Sequence, residues 1–256
     1  MPDQRLFVLD VTAALAEWRV LVNGRKVAHE KASSDIRRSA VINFAIRSGR
    51  NTVALAVRRS DTRDGTSVTI SPPVKLSLSI REGVRGAVPD STGLRAEWTL
   101  RDPVEVRTQD GWVTVWTTEF DAAVPWQASW LRATPRASDA ECELLLARYG
   151  DALAARDLAA VLSMRDAQIR DVAAALTLPL ERARERFGEA LRAQFESPLW
   201  RVRRSEGIRF VREGEERVIR AVDANGAPVL WGLTEGGELP FDFCCAAVDG
   251  RWTIVE

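Results

Sequence analysis

The feature that most constrains this chain is a change in the period of its apolar residues. Up to about residue 132 they recur at every second position, the signature of strands with one buried face. In KLSLSI, Leu76, Leu78 and Ile80 share one face while Lys75, Ser77 and Ser79 share the other. LFVLDV, EWRVLV, AVINFAI, TVALAV, SVTI, AEWTL, EVRT and WVTVWTTEF are further short runs rich in Val, Ile, Thr and Trp, several of which alternate in the same way. Turn signals separate them: Asn23-Gly24, Ser48-Gly49-Arg50-Asn51, Asp64-Gly65, Pro72-Pro73 and Asp110-Gly111. Many short strands at this spacing predict an antiparallel sandwich.

A break follows at LRATPRASDAECE, Leu131 to Glu143, where Pro135, Ser138 and Asp139 read as a linker entering a helix, with Ser138 or Asp139 as its cap. Beyond it the period becomes about 3.6. Leu145, Tyr149, Ala152 and Leu153 form one stripe; Leu158, Val161 and Leu162 a second; Ile169, Val172, Ala173 and Leu176 a third; Leu180, Ala183, Phe187, Leu191 and Phe195 a fourth. Pro198 closes the helical stretch, and the strands GIRFV, ERVIRAV, PVLWGL, LPFDFCCAAV and RWTIVE take over. The expected fold class is therefore a two-domain chain: an all-β sandwich over 1–132, a linker over 133–143 with its boundary near Ala137, and an α+β cone over 144–256. In the cone, helices would pack on one face of a bent antiparallel sheet.

Charge narrows the function classes. Thirty-six basic residues balance 36 acidic ones, and a net charge of zero argues against a nucleic-acid binder and against a polybasic membrane anchor. No run approaches the ~20 apolar residues of a spanning helix. The opening MPDQRLFVLDVTAAL lacks a basic segment ahead of a long apolar one, so no secretory leader is expected. The three cysteines, Cys142, Cys244 and Cys245, make a poor disulfide framework, because adjacent strand residues point to opposite faces. A reducing, cytoplasmic location is expected.

The run LARYGDALAARDLAAVLSM, Leu146 to Met164, is similar without gaps to the first helices of bacterial ketosteroid isomerases. It does so through Ala147-Arg148-Tyr149, then Asp157, Ala160 and Met164. With the closing hairpin PFDFCCAAVDGRWTIVE, it makes roughly the last 115 residues resemble the nuclear transport factor 2-like superfamily. That resemblance implies a cone-shaped fold. It also implies a tyrosine, here Tyr149, that donates to a developing enolate oxygen, with an acid, here Asp242, beside it. The proton-shuttling base has no match: its region reads RDVAAALTLPL, where Asp171 is the nearest carboxylate, within a helical pattern. In the first half, EWRVLVNGRKV and INFAIRSGRNTVALAVRR resemble galactose-binding-like jelly-roll modules, through an Asn-Gly turn and a Gly-x-Asn-Thr turn. Sugar binding would require an exposed aromatic platform, for which Trp112, Trp116, Trp126 and Trp130 are the candidates. Trp112 and Trp116, at even spacing, are expected on one face.

Other chemistry is thinly represented. The single histidine, His29, has no second ligand near it in sequence for zinc and no flagged nucleophile. No phosphate-binding or dinucleotide fingerprint occurs. DVAAALTLPLERARERF has a helix-turn-helix cadence, but Thr177 stands where a turn glycine would help and its arginines are matched by glutamates. No cofactor and no metal are expected. The reading that results is a non-catalytic protein-binding chain, such as a bacterial immunity or adaptor protein, since Trp and Arg are the usual interface anchors. A small-molecule or isomerase-like pocket in the cone, lined by Tyr149, Asp242 and Trp231, is the alternative, and a carbohydrate-binding sandwich the third. The expected partner is another protein, not nucleic acid or membrane, and the C-terminal sheet is the surface through which a homodimer could form.

Overall fold

A computed structural model describes residues 5–32, 34–58, 67–84, 93–107, 112–135 and 138–255. Ala137 and the Asp64-Gly65 and Asp110-Gly111 turns lie outside the described residues. Chain contacts divide the protein into two compact units, Met1–Trp126 and Gln127–Glu256.

The first unit holds strands β1 (Arg5–Ala14), β2 (Ala16–Val22), β3 (Arg25–Ala32), β4 (Ile36–Val41), β5 (Gly49–Arg58), β6 (Ser67–Ile70), β7 (Lys75–Val84), β8 (Leu94–Thr99), β9 (Val104–Arg107) and β10 (Val113–Ala122). Two four-stranded antiparallel sheets run β4-β1-β7-β8 and β10-β5-β2-β3, and β6 pairs with β9 apart from both. The two-residue alternation is realised as burial: Phe7, Leu9, Val11 and Ala13 of β1, and Trp18, Val20 and Val22 of β2, are out of water. The Asn23-Gly24 turn has positive φ at both residues, +51° and +73°, which suits the right-handed twist of a hairpin. Asn23 also donates from Nδ2 to Asn51 Oδ1 and to the Ala45 carbonyl, each at 2.8 Å. Asn51 in turn caps the backbone of Arg47 and Gly49. The two turn motifs legible in the sequence are thus one buried hydrogen-bonded pair.

The second unit begins with a 3-10 turn, Ser129–Arg132, followed by α1 (Asp139–Ala154), α2 (Leu158–Met164), α3 (Asp166–Ala175) and α4 (Leu180–Phe195). Strands β11 (Arg201–Arg204), β12 (Arg209–Glu213), β13 (Val218–Val222), β14 (Leu230–Thr234), β15 (Gly237–Phe241), β16 (Phe243–Val248) and β17 (Arg251–Ile254) complete it. They form two antiparallel sheets, β11-β14-β15 and β12-β13-β16-β17.

This pattern corrects the expected fold class of a sandwich followed by an α+β cone. Strand makes up 47% of the structure, and among the described residues only four α-helices occur, so the chain is mostly β. Four antiparallel sheets of three or four strands carry it, and the second unit has two separate sheets where one bent sheet was expected. The physical reason is local. Between β13 and β14 the ladder is reduced to a single bridge, Val222 to Pro228, and proline has no N–H to extend it. LPFDFCCAAV, which reads as one strand, is divided at Asp242 into β15 and β16. Nor are helices the only cover of the β13-β16 sheet. Ile219, Ala221, Phe243 and Cys245 face the core shared with α1, while Val218, Cys244, Ala246 and Val248 pack under Ala128, Trp130 and Ala133.

Candidate functional site

Tyr149 is held by α1, whose buried stripe runs Cys142, Leu145, Leu146, Tyr149, Ala152 and Leu153. Its ring is 0% exposed and lies between Phe241, 6.5 Å away edge-on, and Phe243, at 6.0 Å. Burial raises the hydroxyl's pKa above its ordinary value; the charge and hydrogen bond of Arg165 offset part of that. The hydroxyl oxygen accepts from Arg165 Nη1 at 2.8 Å.

Arg165 stands at the junction of α2 and α3, the last turn of one and the N-cap of the next. Thr253 of β17 secures that junction by donating to the Met164 carbonyl at 3.2 Å. The Arg165 Nε donates to Gln168 Oε1 at 2.5 Å. Its guanidinium lies near the Tyr149 and Phe187 rings, 5.8 Å from each centroid. Arg165 and Gln168, with Leu239, Pro240, Phe241 and Asp242 from the β15–β16 passage, line an open pocket of about 360 Å³. Tyr149 does not line it; it supports the pocket from beneath, through Arg165.

The three residues singled out from sequence therefore fall in three places. Asp242 lines the pocket, 54% exposed, with Oδ1 3.6 Å from Arg220 Nη1. Arg220 is itself buried and paired with Glu213 through Nε at 2.7 Å. The hydroxyl of Tyr149, beside which the resemblance sets Asp242, accepts from Arg165 instead. Trp231 is on neither: its indole N–H donates to the Pro228 carbonyl at 2.9 Å, and Arg203 lies 5.6 Å over its ring. Its neighbours Leu230 and Gly232 are buried, and Leu230 belongs to the core that holds Tyr149; alternation points Trp231 to the other face. Asp171 is buried, and its carboxylate accepts from the backbone N–H of Ser129 at 2.9 and 3.0 Å and from its hydroxyl at 2.7 Å. That engagement fastens the chain's entry into the second unit and is ill suited to moving a substrate proton.

The tryptophans make no common platform. A β-bulge between Thr114 and Trp116 shifts the register of β10 by one residue, and such a shift exchanges faces. Val113 pairs with buried Val57 and Trp116 with buried Leu55, so Trp112, one residue before Val113, points the opposite way from Trp116. Trp116 stacks on Trp98, Arg19 lies 4.3 Å over Trp112, and Trp126 and Trp130 are buried. His29 lies 3.0 Å from Glu17 and edge-on to Trp112.

Cys142 and Cys245 lie 2.8 Å apart, sulfur to sulfur, as free thiols, while Cys244 faces the other side of β16. Burial, with Cys142 alongside, pushes the Cys245 thiol far up. Among the described residues, no helix is long and apolar enough to cross a membrane.

Sequence reasoning missed Arg165 and Gln168. The one signal available was an arginine directly after the Leu158–Met164 helix, and nothing in its spacing sets it apart from the chain's other arginines. No family model, curated protein or solved structure matches this chain, so the likeness to the two superfamilies rests on the residues quoted for it.

Proposed function

We propose that the protein is a non-catalytic binding protein that takes a small ligand into the open pocket of its second unit. The observation that carries this reading is Arg165. Its guanidinium reaches the pocket wall while its own hydrogen bonds go to neutral acceptors, the Tyr149 hydroxyl and the Gln168 amide. A fixed cation beside Leu239, Pro240 and Phe241, with Gln168 and Asp242 as further polar groups, gives the pocket both the apolar contact and the placed polar groups that ligand sites combine. The isomerase-like alternative loses support, because Tyr149 has no exposed surface from which to meet a substrate and Asp171 is held by Ser129. A ligand-observed NMR screen of small fragments tests the proposal. Binders whose contacts map to Arg165 and Leu239 support it; a screen with no binder, or with binders only elsewhere, ends it.

The expected protein partner stands as a second reading, favoured by Leu144, Leu199 and Val211, three large apolar side chains of the second unit that face water. Val211 lies on β12, an edge strand of its sheet, where a second copy or another chain could add. Sedimentation and partner capture with Val211→Lys test it. Loss of either association supports the edge, and unchanged association removes it.

A further inference from the structure

We propose that the pocket selects a monocarboxylate carried on a small apolar body, with Arg165 as the group that grips the carboxylate. The inference rests on the binding reading above and names its ligand class.

Guanidinium has five N–H donors. In Arg165 one is spent on Gln168 and one on Tyr149, which leaves donors on both terminal nitrogens. A carboxylate engages such a pair bidentately, the strongest form of the contact. Several arginines of this unit have their charge answered by an acid: Arg220 by Glu213, Arg170 and Arg184 by Asp166, Arg212 by Asp139 and Arg203 by Glu238. Arg165 pairs with no carboxylate among the described residues, and its two acceptors are uncharged. The two bonds also fix the side chain, one of them through a fully buried ring, so little rotamer freedom is lost when a ligand arrives.

The rest of the pocket limits what the carboxylate can be attached to. Leu239, Pro240 and Phe241 offer an apolar wall, and about 360 Å³ lies at the small end of ligand pockets. Asp242 supplies the other charge. Its ion-pair neighbour is Arg220, at 3.6 Å, an arginine already paired with Glu213, and Arg165 lines the same pocket. Once one carboxylate has taken up the charge of Arg165, Asp242 disfavours a second carboxylate on the ligand.

Calorimetric titration of the full chain with three matched probes tests this: 4-methylbenzoate, 4-methylbenzamide and terephthalate. The monocarboxylate is expected to bind at least about tenfold more tightly than the amide, the scale of one charge-assisted contact, and more tightly than the dicarboxylate. Arg165→Gln should remove the preference over the amide. Because that change also disturbs Tyr149, Asp242→Asn provides an independent arm at an exposed position: it should bring terephthalate to within a few-fold of 4-methylbenzoate. Equal binding of benzoate and benzamide overturns the carboxylate assignment while leaving the pocket a binding site. An unchanged dicarboxylate penalty in Asp242→Asn overturns the selection by Asp242. Binding of none of the three, together with an empty fragment screen, overturns the binding reading itself.

Discussion

The hydroxyl of Tyr149 accepts one hydrogen bond, from a cation that is itself only partly buried. Removing the hydroxyl leaves Arg165 Nη1 to water and keeps every ring contact. Tyr149→Phe is therefore expected to cost on the order of 1 kcal/mol in chemical denaturation. Tyr149→Ala removes the ring from between Phe241 and Phe243 and is expected to cost about 3–5 kcal/mol. Equal losses in the two variants would mean that the ring is not packed as described. Asn51 makes a second residue-scale case. It bonds Asn23 and the backbone of Arg47 and Gly49 while fully buried. Asn51→Ala strands several of these groups and is expected to cost about 2–3 kcal/mol; a change below the scatter of the measurement would show that water replaces the amide.

At the scale of elements, two close fits decide stability. Gly232 of β14 faces the Trp200 ring so closely that an added Cβ would lie 2.6 Å from Cζ3. Trp200 cannot easily withdraw, because its N–H is bonded to the Leu153 carbonyl at 3.0 Å and its ring packs on Phe195 and Phe241. Gly232→Ala should lower stability by about 1–3 kcal/mol, as overpacking does. The turn after α3 is the reverse case. Thr177 sits at φ +50°, where a β-branched residue is strained, and Leu178 N–H closes the helix on the Ala173 carbonyl at 2.8 Å. Thr177→Gly should raise stability by about 0.5–1 kcal/mol, the relieved strain exceeding glycine's chain entropy. That misfit was legible in the sequence, as were the four helices and the opposite faces of Cys244 and Cys245, because each depends on residues within a few positions; the stripe of α3 was not, since Asp171 and Ala175 are buried there and not Val172 and Leu176. What was not legible depends on pairing across long separations. The bulge that turns Trp116 away from Trp112 is a property of β10 against β5. The split of the second unit's strands into two sheets follows from which partner each strand finds after Pro228. Asp242 was singled out, but its companions Arg165 and Gln168 escaped for the same reason: they meet it at one opening only through the β15–β16 passage, and neither carries a mark in its own neighbourhood.

Taken whole, the second unit is a closed core with an opening beside Arg165, and the central strands β13 and β16 of its four-stranded sheet are covered on both faces. The chain before α1 supplies one cover: Trp130 packs with Cys244 and Ala246, and Ala133 bridges to Val248. Residues 127–256 are therefore expected to fold alone, with cooperative unfolding and dispersed NMR signals. Residues 138–256, which uncover Val218, Cys244, Ala246 and Val248, should aggregate or bind hydrophobic dye. Independent folding of the shorter piece would show that the Trp130 segment is dispensable. The central claim is that Tyr149 is sealed support and that the opening lies beyond it. The chain has a single tyrosine, so tyrosinate absorbance on raising the pH reports this residue alone. Its folded pKa is raised above the ordinary value. The native state thus holds the proton longer than the unfolded chain, and stability falls as pH climbs past about 10. The predicted result is that tyrosinate appears only above the ordinary range and together with loss of the folded signal. Reversible ionisation at or below about 10, with the fold intact, would mean that Tyr149 faces solvent, and would contradict the account.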